Sequence, residues 1–411
     1  MRNRVLAVVM SCVALIACAK PTDAAWLDWT GANLAVSTAT GDQNGQAVVS
    51  DGATGFIVAF QDGRSGNAAI FAQHVMADGK LDPQWPVDGQ RLCALSSGRS
   101  SPCIASDGAG GAILAWLDYR SGGADIYAQR VSANGRLLWA DVAIPLSTAL
   151  GDEGRPAIVP DGAGGAIVAW HGSGAGRDIH AQRVDSTGAV LWQNGGVRAI
   201  EDGYSQAFPL LASDGSGGAF VVWLDSRNSG NDIVAQRLGV GGALLWDPSG
   251  VVVCNANADQ ESHVARADGF GGLIVAWTDW RGGSTSDIYA QRLSSAGTAL
   301  WAGNGVAVSR FSGNQLSPCL EPDGLGGAVL GWVDYRSGQS DIHAQHVSAD
   351  GLATWRTDGT PVCEAASDQV GVAVTHGLAG ATILAWQDYR SGTSDIFAQL
   401  LGVSCTSRDF V

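Results

Sequence analysis

Hydrophobic and polar positions along this chain alternate on the scale of short strands and tight turns. The clearest stretch is the unbroken apolar run Ala112-Ile113-Leu114-Ala115-Trp116, preceded by Asp107-Gly108-Ala109-Gly110-Gly111 and followed by Leu117-Asp118-Tyr119-Arg120-Ser121-Gly122. A run this short, closed by turn residues at both ends, predicts a strand buried on both faces. The pattern continues through Asp125-Ile126-Tyr127-Ala128-Gln129-Arg130-Val131 and closes at Leu138-Trp139. The whole unit then recurs. Its turn aspartate reappears as Asp51, Asp107, Asp161, Asp214, Asp268 and Asp323, with His376-Gly377 as a degenerate seventh copy, at intervals of 56, 54, 53, 54, 55 and 53 residues. So constant a period means one supersecondary unit repeated seven times.

Each unit predicts four strands. Strand A precedes the Asp-Gly turn, a strong hairpin signal. Strand B ends in Trp116 or its equivalents Trp170, Trp223, Trp277, Trp332 and Trp386, with Phe60 in the first copy. Strand C carries Ile-x-Ala-Gln in all seven copies, and strand D begins near Trp85, Trp139, Trp192, Trp246, Trp301 or Trp355. The last copy stops after strand C, near Leu401, and the start of the chain supplies what it lacks. Trp29-Thr30-Gly31 through Leu34-Ala35-Val36-Ser37 aligns with Trp301-Ala302-Gly303 through Val306-Ala307-Val308-Ser309. A solenoid needs capping ends, whereas a ring needs ends that meet. The expected fold is therefore all-β: a seven-bladed β-propeller of four-stranded blades, closed by the N-terminal strand completing the last blade. The blades fall at about 46–100, 101–154, 155–206, 207–261, 262–316, 317–370, and 371–403 together with 26–45.

This DGxGGAIVAWxDxRxGxxDIYAQR-like unit resembles a repeat of uncharacterised secreted bacterial β-propeller proteins, over essentially all of residues 26–411. The resemblance implies a fold and an exported setting but no chemistry. The unit departs from better-known propeller signatures: no WD dipeptide closes each copy, and Asp107-Gly108-Ala109-Gly110 lacks the sialidase Asp-box spacing.

Composition adds limits. With 46% hydrophobic and 15% charged residues, 57 glycines and 3 methionines, the chain fits many strands and turns. Net charge is -15, and Lys20 and Lys80 are the only lysines. Without a basic stripe, nucleic acid is excluded as a partner class. Met1-Arg2-Asn3-Arg4 and the 13 apolar residues from Val5 to Ala17 have the layout of a secretory signal, within residues 1–25. Leu15-Ile16-Ala17-Cys18 resembles a lipobox, making Cys18 a candidate lipidation site; cleavage after Ala17-Cys18-Ala19 or nearer Ala25 is the alternative. No later stretch is apolar enough for a membrane helix. The expected protein is thus an exported monomer, periplasmic, lipid-anchored at the outer membrane or extracellular. Among the remaining cysteines, Cys93 and Cys103 are the nearest disulfide candidates, and free buried cysteine is the expectation for the rest.

Groups that recur in every blade are expected to hold the fold. Gln129 and its equivalents are read as tying backbone groups between blades, and the tryptophans as core. The B–C turns carry the candidate binding groups: Asp118-Tyr119-Arg120, Asp279-Trp280-Arg281, Asp334-Tyr335-Arg336 and Asp388-Tyr389-Arg390. Asp62-Gly63-Arg64 and Asp225-Ser226-Arg227 lack the ring, and blade three shows His171-Gly172-Ser173 instead. One reading is an Asp–Arg pair pinning the turn. The other is a sugar site, with the ring stacked on a pyranose and the charged groups bonding hydroxyls. A calcium site from Asp118 and Asp125 is a weaker candidate, because calcium takes six or more oxygens. The D–A connections share the B–C face and hold the pattern-breaking groups Glu153, Glu201, Asp202, Tyr204, Glu261, His263 and Glu364.

No HExxH, GxSxG, phosphate-binding loop or GxGxxG occurs. His343 and His346 point to opposite faces of one strand and make a poor metal pair. The leading expectation is a non-enzymatic binding propeller without a cofactor, recognising a glycan or another envelope or extracellular protein through these loops. The alternatives are a glycan-degrading enzyme, hydrolase or lyase, with its site on the axis, and an extracellular protein–protein scaffold.

Overall fold

The computed structural model describes residues 34–149, 151–173, 177–200, 204–228, 230–376 and 381–402. The leader with Cys18, residues 29–31, Glu201, Asp202, Gly377 and Cys405 lie outside the described residues. Every regular element among the described residues is a strand, and together they form seven antiparallel sheets in chain order. The first holds β1–β4 (Gln43–Ser50, Phe56–Asp62, Ala69–Val75, Gln90–Arg91), and the second β5–β8 (Arg99–Ser106, Ala112–Asp118, Asp125–Val131, Ile144–Ser147). The third holds β9–β12 (Gly154–Pro160, Ala166–His171, Ile179–Val184, Val197–Arg198), and the fourth β13–β16 (Gln206–Ser213, Ala219–Asp225, Asp232–Leu238, Val251–Cys254). The fifth holds β17–β20 (Gln260–Ala267, Leu273–Asp279, Asp287–Leu293, Val306–Ser309), and the sixth β21–β24 (Gln315–Pro322, Ala328–Asp334, Asp341–Val347, Thr360–Cys363). The seventh holds three strands, β25–β27 (Gln369–His376, Thr382–Asp388, Asp395–Leu401). The fold is all-β and propeller-like.

Each sheet is a meander, and the first strands of successive sheets lie side by side, β1 by β5, β5 by β9, and on to β21 by β25. These form the inner wall. The core lies between sheets, where Trp116, Trp170, Trp223, Trp277 and Trp332 are fully buried and pack on the preceding sheet's apolar strands. The strand D tryptophans lock neighbours together. Trp85, Trp139, Trp192, Trp246 and Trp301 each donate their indole N–H to a carbonyl in the next sheet's C–D turn, at 2.8–3.2 Å. A glycine of that turn lies under the ring: a Cβ on Gly297 would meet Trp246 at 3.0 Å, and its φ of +80 further favours glycine.

The repeated glutamines act differently from expectation. Gln129 Nε2 donates to Ala140 O at 2.8 Å, and its Oε1 accepts from Arg130 and Trp139 N–H groups, all in its own sheet. Its one bond to a neighbour is a long one, 3.4 Å to Leu92 O. Gln182, Gln236, Gln291 and Gln345 repeat the within-sheet pattern. Strand D is so short that the strand C glutamine must bridge the gap left in its ladder.

Thr38 N–H donates to Asp88 Oδ1 at 2.7 Å. The Arg310 N–H to Asp358 bond repeats this between the fifth and sixth sheets. Residues preceding β1 therefore meet the first sheet as the end of one sheet meets the next. Val48 on β1 and Ile396 and Leu400 on β27 remain exposed.

Candidate functional site

The Asp-x-Arg turns are pins inside their own sheets. Asp118, Asp279, Asp334 and Asp388 are fully buried, and the guanidiniums of Arg120, Arg281, Arg336 and Arg390 lie at 2.6, 2.6, 2.7 and 2.5 Å from them. The same carboxylates accept the indole N–H groups of Trp116, Trp277, Trp332 and Trp386. Burial alone would raise the Asp118 pKa, but bonds from Arg120 and Trp116 and the charge of Arg99 hold it well below the usual carboxylate range. A ligand at these turns would meet the central aromatic residue rather than the carboxylate.

Asp125, considered for calcium, accepts a bond from Ser121 at 2.5 Å. Among the described residues, no three His, Cys, Asp or Glu side chains gather as metal ligands. Nor are Cys93 and Cys103 joined. Both are free thiols: Cys93 lies against Arg99 Nη2 at 3.1 Å, while Cys103 Sγ points to Ala115 O.

The four turn aromatics sit beside the inner strands. Tyr119, Tyr335 and Tyr389 are exposed and Trp280 half-buried. The Tyr119 hydroxyl lies 3.1 Å from Ser100 Oγ, and Trp280 Nε1 donates to Glu261 Oε1 at 2.7 Å. Ser100 and Glu261 occupy the same repeat position, one residue before a bend that every sheet shares.

That bend is a β-bulge, marked by a register shift between the first and second strands of the sheet. Its central residue is left-handed in all seven sheets: Gly45, Ser101, Arg155, Phe208, Ser262, Ser317 and Gly371, with φ between 49 and 65. Glycine takes this conformation freely, whereas a bulky side chain there is strained by about 1–3 kcal/mol. Five sheets place a small residue at the bulge. The third and fourth place arginine and phenylalanine.

These two exceptions line one cavity of about 890 Å³ on the inner wall, between β5, β9, β13 and β17. Arg155 Cζ stands 4.2 Å from the centroid of the Phe208 ring, a cation–π contact. Ser101, Asn231, Glu261, Ser262 and His263 complete the polar lining among the described residues. His263 is buried, its Nε2 has no hydrogen-bond partner among the described residues, and burial pushes its pKa down to about 4. It is a neutral imidazole at pH 7, with an unused nitrogen in a cavity wall.

The third sheet departs further. Where other sheets carry an aspartate two residues after the strand B tryptophan or phenylalanine, it has Gly172, preceded by His171, and its first inner-strand position, glutamine or arginine elsewhere, is Glu153. Glu153 accepts bonds from the Ser147 hydroxyl and the Ile126 N–H, and takes over the indole of Trp170. Burial pushes its carboxyl up to about 7. Burial, then the charges of Arg177 and Arg155, hold His171 below its usual pKa. Of the other pattern-breaking groups, Tyr204 is exposed, and Glu364 Oε1 lies 3.7 Å from His343, outside the cavity lining.

Sequence reasoning singled out Glu261 and His263 but missed Arg155 and Phe208. The signal was the bulge column itself, where glycine or serine gives way to a large side chain in two adjacent copies.

No protein-family model and no curated protein matches this chain. Solved structures do resemble it. A polysaccharide lyase of a family named PL25, an ulvan lyase bound to -[GlcA(1-4)Rha3S]-, aligns at TM-score 0.51 and 9% identity, covering 90% of this chain and 96% of that one. Another structure of a PL25 ulvan lyase aligns at TM-score 0.50 and 9% identity, covering 85% and 90%. A putative TolB from Agrobacterium tumefaciens aligns at TM-score 0.33 and 12% identity, covering 87% and 91%. At such identities the likeness is one of fold.

Proposed function

We propose that this protein is an exported, seven-bladed β-propeller that binds and depolymerises a polysaccharide in its inner cavity. The observation that carries this reading is the pair Arg155 and Phe208. Two adjacent blades hold large side chains on strained backbone where their siblings use glycine or serine, and both face one cavity. Its volume suits a ligand site, and the Phe208 ring offers an apolar plate of the kind sugar faces stack on. Fold likeness to polysaccharide lyases supports the same reading. Glu261 is the one carboxylate among the described lining residues, which do not assemble the carboxylate pair used by most glycoside hydrolases. That favours a lyase over a hydrolase.

In this reading the ring closes when residues 26–37 pair with β27 and cover Ile396 and Leu400. The bond from Thr38 to Asp88 supports that course of the chain. The leader directs export, with Cys18 as the residue that would carry a lipid.

A second reading, binding without turnover, rests on Tyr119, Tyr335 and Tyr389, which are exposed outside the cavity lining. The deciding experiment incubates the protein with a panel of polysaccharides and follows chain length by size-exclusion chromatography. Shortened chains support the enzyme. Saturable binding without shortening supports the second reading.

A further inference from the structure

We infer that the cavity selects a polysaccharide carrying anionic groups, carboxylate or sulfate, and that Arg155 is the residue that reads the charge. This rests on the proposed glycan site and adds its substrate class. Arg120 and Arg130, like most repeat arginines, are each held by an aspartate of their own sheet. Arg155 has no such carboxylate among the described residues and lies over the Phe208 ring instead. An aromatic ring accepts none of the guanidinium's N–H groups in an ordinary hydrogen bond, so that fork of donors stays available to a planar or tetrahedral anion.

The surroundings of blade three point the same way. The turn aspartate is replaced in this blade by Gly172, which brings no charge, and the charges of both Arg155 and Arg177 are felt at the preceding His171. Asp178, the nearest acidic residue along the turn, is already paired with Arg198 at 3.2 Å. Glu153, next to this group, is buried and held by Ser147 and Ile126. The one carboxylate among the described lining residues, Glu261, is bonded to the Trp280 indole rather than to an arginine. A guanidinium without an ion-pair partner among the described residues, in a chain of net charge -15, is a local feature that an uncharged sugar would not require.

The test measures binding of the protein to polygalacturonate, dextran sulfate and uncharged dextran by affinity electrophoresis, at low and high salt. Arg155→Ser installs the residue that the second, fifth and sixth blades carry at this bulge, so the fold is expected to persist, and a thermal melt checks it. The proposal predicts retention by one or both anionic polymers, little by dextran, and weakening by salt. It predicts a loss on the order of 10- to 100-fold in Arg155→Ser, with partial recovery in Arg155→Lys. Preference for polygalacturonate would identify carboxylate as the anion, and preference for dextran sulfate, sulfate. Equal binding of dextran, or anionic binding unchanged in Arg155→Ser, overturns the inference while leaving the glycan site standing. Absence of binding to all three polymers, with no turnover in the wider panel, overturns both.

Discussion

Replacing Glu153 with glutamine should stabilise the protein at alkaline pH, a rare outcome for a buried site. Five other blades carry glutamine at this position: Gln43, Gln206, Gln260, Gln315 and Gln369. Burial pushes the Glu153 carboxyl from its usual 4.5 up to about 7. Between those values the folded protein holds a proton that the unfolded chain has lost, so stability falls as pH rises through that window. The gap corresponds to about 3 kcal/mol, all of it lost above pH 7. In Glu153→Gln this loss disappears, while one amide can still accept from Ile126 and donate to Ser147. The assay is calorimetric melting from pH 4.5 to 8.5. The variant should match the parent near pH 4.5 and melt several degrees higher at pH 8.5. An equally steep pH dependence in both proteins, or a lower melting point for the variant at pH 8.5, would refute the reasoning.

Three further outcomes follow from the same geometry. Gly297→Ala places a Cβ 3.0 Å from Trp246 at a φ of +80, and should cost about 1–3 kcal/mol in urea unfolding. His263, pushed down to about 4 by burial, gives stability that is complete above the usual 6.5 and lost as pH falls towards 4. Its removal in His263→Phe should flatten the acid limb of the melting profile; an unchanged limb would assign acid lability elsewhere. Asp279→Asn weakens the buried pair with Arg281, and is expected to lose about 3–5 kcal/mol by chemical denaturation.

Much of the fold was legible because it is written seven times. The Asp-Gly turn, the apolar strand B and the Ile-x-Ala-Gln strand C each fell where the periodicity placed them, since repetition averages out local ambiguity. The role of Gln129 was misjudged because sequence shows that a buried amide needs partners but not where they lie. The carbonyl it reaches, at Ala140 in its own sheet, became visible only once strand D proved so short. The Cys93–Cys103 pairing failed for a similar reason, as closeness in sequence does not aim two side chains at one another. Asp118 and Arg120 recurred as a motif because they hold the turn. Arg155 and Phe208 went unseen because a β-bulge shifts which side chain faces inward, and alternation of strand residues does not reveal a bulge.

The most direct test of the cavity as a glycan site is polysaccharide depolymerisation by the parent protein and by a double variant, Arg155→Gly with Phe208→Gly. Glycine is the residue that the first and seventh blades use at this bulge, so the double variant relieves backbone strain and should melt no lower than the parent. Loss of chain shortening in this well-folded variant is the expected result. Undiminished shortening would place the chemistry elsewhere on the molecule and contradict the assignment.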